Sequence, residues 1–158
     1  MDLIVGNNGF LARNIKEKFI NSINLRRDGI YQNKKLIYKS LEECIDKQKL
    51  NTIFNCAVSY KESDLDELDQ INFILPKKIL NTVEKYNIKV ICFGSFFEKG
   101  KNSYMQNYVN SKIKLSNYLE NLNNKKFYHL KLEHIYGRFD RLNKFVPNTV
   151  KKIKEKNK

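Results

Sequence analysis

The chain contains no tryptophan, two prolines, six glycines and three cysteines in 158 residues. No apolar run reaches the eighteen or so residues a membrane-crossing helix needs. The N-terminus, Met1-Asp2-Leu3-Ile4-Val5-Gly6, has no basic leader and no long apolar stretch, so a secretory signal is not expected. Cys44, Cys56 and Cys92 show no metal-ligand spacing. Cys56 and Cys92 fall in apolar, strand-like runs, which suits reduced core thiols and a cytoplasmic compartment. Acidic residues are also scarce, 17 against 30 lysines and arginines, for a formal net charge of +13. That balance raises the question of nucleic acid. The excess is mostly lysine spread along the chain, asparagine and isoleucine are abundant too, and all three share A/T-rich codons. There is no arginine stripe and no aromatic RNA-binding motif. The one dense basic run, 151–158, reads as a solvated tail. A nucleic-acid partner is therefore not expected, and neither is a membrane.

What remains is 41% hydrophobic and 12% aromatic, enough for one domain with a real core. Asp2-Leu3-Ile4-Val5 reads as a buried parallel strand. Phe10, Leu11, Ile15, Phe19 and Ile20 then recur at helical spacing. Further strands are expected at 23–25, 36–38, 52–57, 90–93 and 127–132. Ser40, with Glu43 at the capping-box position, starts a helix to about residue 49. Residues 59–70 read as an acidic loop, followed by a helix to about Tyr86. Pro76 should kink that helix or mark the start of its regular part. Residues 98–103 read as a polar loop, 105–122 as a long helix, and Pro147 onward as a last helix. Strands alternating with helices and no linker predict a single Rossmann-like α/β domain over 1–158, with a parallel sheet of about six strands.

Two motifs carry chemistry. Gly6-Asn7-Asn8-Gly9-Phe10-Leu11-Ala12 fits G-x-x-G-x-x-A between a strand and a helix. Glycines permit the tight turn and let a pyrophosphate approach the backbone. The helix start supplies unpaired N–H groups, and a small third residue allows close packing. An ordinary strand-to-helix turn is the plain alternative. Arg26 and Arg27 follow the second strand, where an acidic residue would hold a ribose 2′-hydroxyl. Guanidinium groups suit a 2′-phosphate instead, which favours NADP over NAD. Asp28 leaves NAD open if the register lies a residue or two further on, and two solvated arginines are the other alternative.

Tyr108 and Lys112, spaced i, i+4, share a helix face. An ammonium beside a phenol is expected to lower its pKa, giving a group that trades a proton with a carbinol or ketone. Ser95, just past the strand at 90–93, could hold the substrate oxygen beside it. A surface Tyr–Lys pair is the alternative. Tyr104 forms no competing pair. His134 is a weaker candidate acid, and His129 reads as a packed or edge residue.

With these residues in hand, the chain resembles the extended short-chain dehydrogenase/reductase family, the NAD-dependent epimerases and dehydratases. The matching pieces are the glycine turn, Asn55-Cys56-Ala57-Val58, Asn72 near Pro76, Gly94-Ser95, Tyr108-x-x-x-Lys112 and the run 130–137. The run 130–140, with Lys144-Phe145, looks most like the CDP-paratose and CDP-abequose synthases. That resemblance implies NADPH-dependent reduction of a 4-keto group on a CDP- or dTDP-linked deoxysugar, in surface-polysaccharide precursor synthesis. It implies that Tyr108 is the general acid, that Lys112 tunes it and holds the nicotinamide ribose, and that Ser95 binds the keto oxygen. Gly6, Gly9, Phe10 and Leu11, with Asn8 between the glycines, would cradle the pyrophosphate, and Ala57 and Asn72 would line the cofactor cleft. An NAD-retaining epimerase or dehydratase and a catalytically inactive nucleotide-binding module are the alternatives. A homodimer is compatible with either. Members of the group are much longer chains. The expectation is that this one lacks the seventh strand and the C-terminal substrate lobe, and that Phe139, Phe145 and Val146 are exposed.

Overall fold

A computed structural model of the chain describes residues 1–6, 8–26, 31–32, 35–36, 43, 45, 49–100 and 105–156. Strands β1 (Asp2–Val5), β2 (Ser22–Leu25), β5 (Thr52–Asn55), β6 (Lys89–Ser95) and β7 (Phe127–Leu132) form one sheet. Every pairing in it is parallel, in the order β2-β1-β5-β6-β7. The sheet has five strands where six were expected. Strands β3 (Tyr31–Gln32) and β4 (Lys35–Leu36) instead form a separate antiparallel pair. Leu36 thus pairs locally with Tyr31, and the rest of the expected 36–38 strand lies outside the described residues. Of the helix expected over 40–49, Glu43 and Ile45 are described, and both are helical.

Both faces of the sheet are covered, which is why its strands are apolar at consecutive positions. Leu3, Val5, Ile53 and Val90 face one layer, where they meet Ile71, Leu75, Ile79 and Leu115. Ile4 and Phe54 face the other and pack on Ala12 and Ile15 of α1 (Phe10–Lys18). Fully burying one such side chain contributes roughly 1.5–3 kcal/mol.

Residues 59–70 are not wholly loop. They contain a short helix, α2 (Leu65–Asp69), whose first turn is closed by Asp64 Oδ1 accepting the Glu67 N–H at 3.0 Å. A π-helical turn follows (Gln70–Ile74) and then α3 (Leu75–Val83), with Pro76 in its first turn. Pro76 therefore marks the start of the regular helix, and the wider π-turn before it is where the helical run accommodates a residue with no N–H to donate. Helix α4 (Gln106–Leu122) crosses the same face, and α5 (Phe145–Lys156) ends the described chain. A short 3₁₀ turn (Phe96–Lys99) occupies the start of the loop expected at 98–103. Among the described residues no helix is long and apolar enough to cross a membrane.

The chain steps from β1 outward to β2, then returns to lay β5 on the other side of β1. Reversal of this kind leaves a crevice at the carboxyl ends of the two inner strands, the usual ligand position in open parallel sheets. Gly6 ends one of those strands and Cys56-Ala57 the other.

Candidate active site

A cavity of about 1170 Å³ opens over that crevice. This is at or above the roughly 300–1,000 Å³ usual for a small-molecule pocket. Its floor at the β1 side is the glycine turn. Gly6 has φ +83°, and a Cβ there would lie 2.6 Å from the Ala57 backbone, so no other residue fits without moving a strand. The Gly6 N–H donates to the Leu25 carbonyl at 2.8 Å, which sets the end of β2, and hence Arg26, beside the turn. Gly9 differs. A Cβ there would find nothing closer than the Gly6 carbonyl at 4.0 Å. The space is open on the chain's own account and is left for something else. Gly9 caps α1 with no side-chain hydrogen bond, and the first turn holds no acid. A helix start left this way suits an anion by both its N–H groups and its dipole. The residues present therefore fit a dinucleotide pyrophosphate.

Gly6, Asn8, Gly9, Phe10, Leu11 and Ala57 all line this cavity, and so do Ser95, Tyr108 and Lys112. Residues from distant parts of the sequence thus share one space, as their motifs predict. Arg26 is exposed and does not line it, and Arg27 lies outside the described residues. Asn72 is not in its wall either. It is fully buried behind the wall, where its Oδ1 accepts the Ser59 N–H at 2.8 Å. Its amide donates to the Ser59 carbonyl at 2.9 Å and to the Ser111 hydroxyl at 3.0 Å. Asn72 is thus placed to hold a loop against a helix. His134 is exposed at the cavity rim, its ring 6.3 Å from that of Phe96.

Tyr108 shares the cavity wall with Ser95 and Tyr60, and both side chains bear on its phenol. Ser95 is itself set by a capping box. Its Oγ accepts the Phe97 N–H at 3.3 Å, and Glu98 Oε1 accepts the Ser95 N–H at 2.6 Å. Lys112 donates from Nζ to the Phe93 carbonyl at 2.9 Å and lies 5.8 Å from the Tyr108 ring centroid. The expectation that Lys112 lowers the Tyr108 pKa is not met. Burial above all, and then the neighbouring Tyr60 oxygen, push the phenol above its usual value. Burial likewise pushes the Lys112 ammonium down, which weakens the very field the spacing suggested. At neutral pH Tyr108 is a protonated acid.

Three features of the site escaped the sequence. Tyr60 lines the cavity with its ring 4.9 Å from that of Tyr108. Glu98 and His129 form a buried couple behind Ser95, with Oε1 and Nε2 3.8 Å apart. A side chain at Gly94 would fill the room they occupy. Burial and the nearby Lys112 hold the His129 pKa down to about 4, so it is neutral. Asp140 and Lys144 pair at 3.1 Å where the chain after β7 returns over Phe10, the Lys144 Nζ 5.6 Å from that ring. The signal for this last pair was present as Asp140 and Lys144 at i, i+4. Tyr60 and Glu98 had no local signal. Burial pushes Cys56 and Cys92 up to about 12, so both are inert thiols. Among the described residues no group of three or more His, Cys, Asp and Glu could hold a metal ion.

Residues 3–158 match the model of the NAD dependent epimerase/dehydratase family. CDP-abequose synthase of Salmonella typhimurium strain LT2 is 25% identical over 177 residues, covering 98% of this chain and 59% of that protein. CDP-abequose synthase of Salmonella muenchen is 31% identical over 120 residues, covering 70% of this chain and 41% of that protein. The chain thus spans well under the full length of either curated relative. Among solved structures, dTDP-4-dehydrorhamnose reductase of Bacillus anthracis in complex with NADP superposes with a TM-score of 0.77 at 17% identity. The match covers 98% of this chain and 60% of that one, and shows the shared fold.

Proposed function

The chain belongs to the NAD dependent epimerase/dehydratase family, and on that premise we propose that it binds NADP(H) and takes part in reducing a keto group on a nucleotide-linked deoxysugar. The observation that carries this reading is the convergence of Ser95, Tyr108 and Lys112 on the same cavity as the glycine turn. The curated relatives named CDP-abequose synthase support a CDP-linked sugar, with a dTDP-linked one as the neighbouring choice.

The bound nicotinamide would supply a hydride to the keto carbon. The chain's own residues do the rest. Ser95 has its Oγ tethered by the Phe97 N–H, which leaves the hydroxyl hydrogen free for the substrate oxygen or the Tyr108 oxygen. Tyr108, held protonated by its burial, gives its proton to that oxygen as charge develops on it. Lys112, fixed on the Phe93 carbonyl, stands next to the phenol and within reach of a ribose hydroxyl. Gly6, Gly9, Phe10 and Leu11 hold the pyrophosphate against the α1 start, while Asn72 keeps the opposite wall in place. Arg26, which follows β2, and Arg27, next in sequence, take the 2′-phosphate. The activity belongs in the cytoplasm, where NADPH and sugar nucleotides are available.

The test is calorimetric titration with NADPH, followed by loss of NADPH absorbance on adding a CDP-4-keto-deoxy sugar. Binding that Gly9→Trp abolishes, and turnover that Tyr108→Phe abolishes, are the results expected. A chain that binds neither NADPH nor NADH would overturn the reading.

A further inference from the structure

The cavity wall around Tyr108 is apolar. Val58, Tyr60, Phe97 and Met105 all line the cavity. Val58, Phe97 and Met105 are half-buried and pack in the same cluster as Tyr108. The Tyr60 ring lies 4.9 Å from that of Tyr108, and Tyr60 is 59% exposed, so a large aromatic surface is left uncovered there. The charged residues that follow Tyr60 into this wall, Lys61 and Glu67, answer each other at 3.5 Å. Lys61 also pairs with Asp64 at 3.1 Å, and Glu67 accepts the Ser59 hydroxyl at 2.7 Å.

The loop that carries Tyr60 is fastened to the helix that carries Tyr108 on both sides of Tyr60. On one side, Ser59 is held by Asn72, which also donates to Ser111, whose hydroxyl donates to the Tyr108 carbonyl at 2.7 Å. On the other, Glu62 Oε1 accepts the Tyr108 N–H at 2.6 Å and Oε2 the Asn107 N–H at 3.1 Å. The backbone on either side of the exposed ring is thus set in advance, which spares a ligand the cost of ordering it.

We propose that Tyr60, backed by Val58, Phe97 and Met105, is the specificity-determining residue that packs the deoxygenated edge of the sugar. The inference rests on the keto-reductase reading and adds to it the side chain that reads the sugar. A keto oxygen held by Ser95 and Tyr108 brings the ring edge that bears it against this wall, because the carbons flanking the keto carbon are only two bonds from that oxygen. A methylene or methyl group there gains contact with an aromatic face. A hydroxyl in its place loses water against aromatic, aliphatic and thioether groups that return no hydrogen bond. The ring acts by its face, so phenylalanine at position 60 serves as well as tyrosine.

The experiment reads binding and needs no turnover. A CDP-linked 3,6-dideoxyhexose and CDP-glucose are each titrated into the chain with NADP present, and saturation-transfer NMR maps which sugar protons touch the protein. The dideoxy sugar is expected to bind about tenfold to a hundredfold more tightly, the range an apolar pocket achieves against added hydroxyls. Its C3 methylene and C6 methyl protons are expected to receive the strongest transfer. Tyr60→Phe should keep both results, and Tyr60→Ala should bring the two affinities toward parity and weaken transfer to those protons. Equal affinities in the unsubstituted chain overturn the proposal, as does a preference that survives in Tyr60→Ala or is lost in Tyr60→Phe. NADPH titration of the same samples separates the two failures. Lost cofactor binding in the unsubstituted chain defeats the reductase reading, whereas intact cofactor binding with no preference between the sugars, or no binding of either, defeats the role of Tyr60 alone.

Discussion

Glu62 caps the helix that carries Tyr108. Its two carboxylate oxygens accept the backbone N–H groups of Asn107 and Tyr108, at 3.1 and 2.6 Å, across a sequence separation of 45 residues or more. The helix's own cap position, Met105, is left-handed and offers no side-chain bond. A carboxylate at a helix start also meets the positive end of the dipole.

Glu62→Ala should therefore cost about 1 kcal/mol, as loss of an N-cap typically does. In a chain of this length that lowers the melting temperature by roughly 2–4 °C. Thermal unfolding followed by circular dichroism checks it. Glu62→Gln should recover part of the loss, since an amide oxygen still accepts one N–H. A melting curve identical to that of the unsubstituted chain would remove Glu62 from this role.

The two turn glycines should fail differently. Gly6→Ala puts a Cβ into the Ala57 backbone at φ +83° and should destabilise the fold itself. Gly9→Ala meets only open space, so the loss should be no more than alanine costs at a helix cap, up to about 1 kcal/mol. Cofactor affinity should nonetheless fall, because the methyl group occupies the pyrophosphate approach. Urea unfolding and NADPH titration of both variants give the comparison. Equal stability losses would mean that the turn is built for the chain and not for a ligand.

NADPH should bind at least about tenfold more tightly than NADH, since one charged hydrogen bond to a 2′-phosphate contributes roughly 1.5–3 kcal/mol. The preference should vanish when Arg26 and Arg27 are both replaced by alanine. Titration calorimetry with both cofactors decides it. Equal affinities in the unsubstituted chain would show that the end of β2 does not read the phosphate.

Lys112 is buried with a depressed pKa, so protonating it opposes folding. The sign follows from proton counts. Between its folded value and the ordinary 10.5, the unfolded chain holds more protons, and stability rises with pH through that window. Below the window the penalty is present in full. Lys112→Met should thus be the more stable protein at neutral pH, and the gap should close as pH approaches 10.5. Denaturant midpoints measured across that range test it. A Lys112→Met protein less stable than the unsubstituted chain at pH 7 would show that the Phe93 hydrogen bond outweighs burial.

The sheet was legible because its strands are short apolar runs, three of them ending at glycine or small residues. Tyr108, Lys112 and Ser95 were legible because helical spacing and a strand end are local facts. The segment 59–69 was not. Its apolar residues are too few to show a period, and its order comes from Asn72, just beyond it, and from Ser111 and the α4 start, both remote in sequence. The same holds for the sign of the Tyr108 shift. Spacing places Lys112 on the right face, but only the fold shows that its ammonium turns to the Phe93 carbonyl and that burial governs the phenol. Asn72 lies behind the cavity wall and not in it, because its side chain is bonded to Ser59 and Ser111. Phe145 is exposed at 82% and Phe139 at 39%, as the reading of 139–146 expects, with Val146 half-buried.

The π-helical turn at Gln70–Ile74 winds one residue more into a turn than an α-helix holds, and three successive side chains, Ile71, Asn72 and Phe73, are buried there. Deleting one residue from this turn would restore ordinary helical bonding. It would also rotate everything on its N-terminal side by about 100° relative to α3. The loop of Tyr60 and Glu62 would swing away from the α4 start with it. The position of a rim tyrosine in space is thus counted out, residue by residue, in a helix that never touches the cavity.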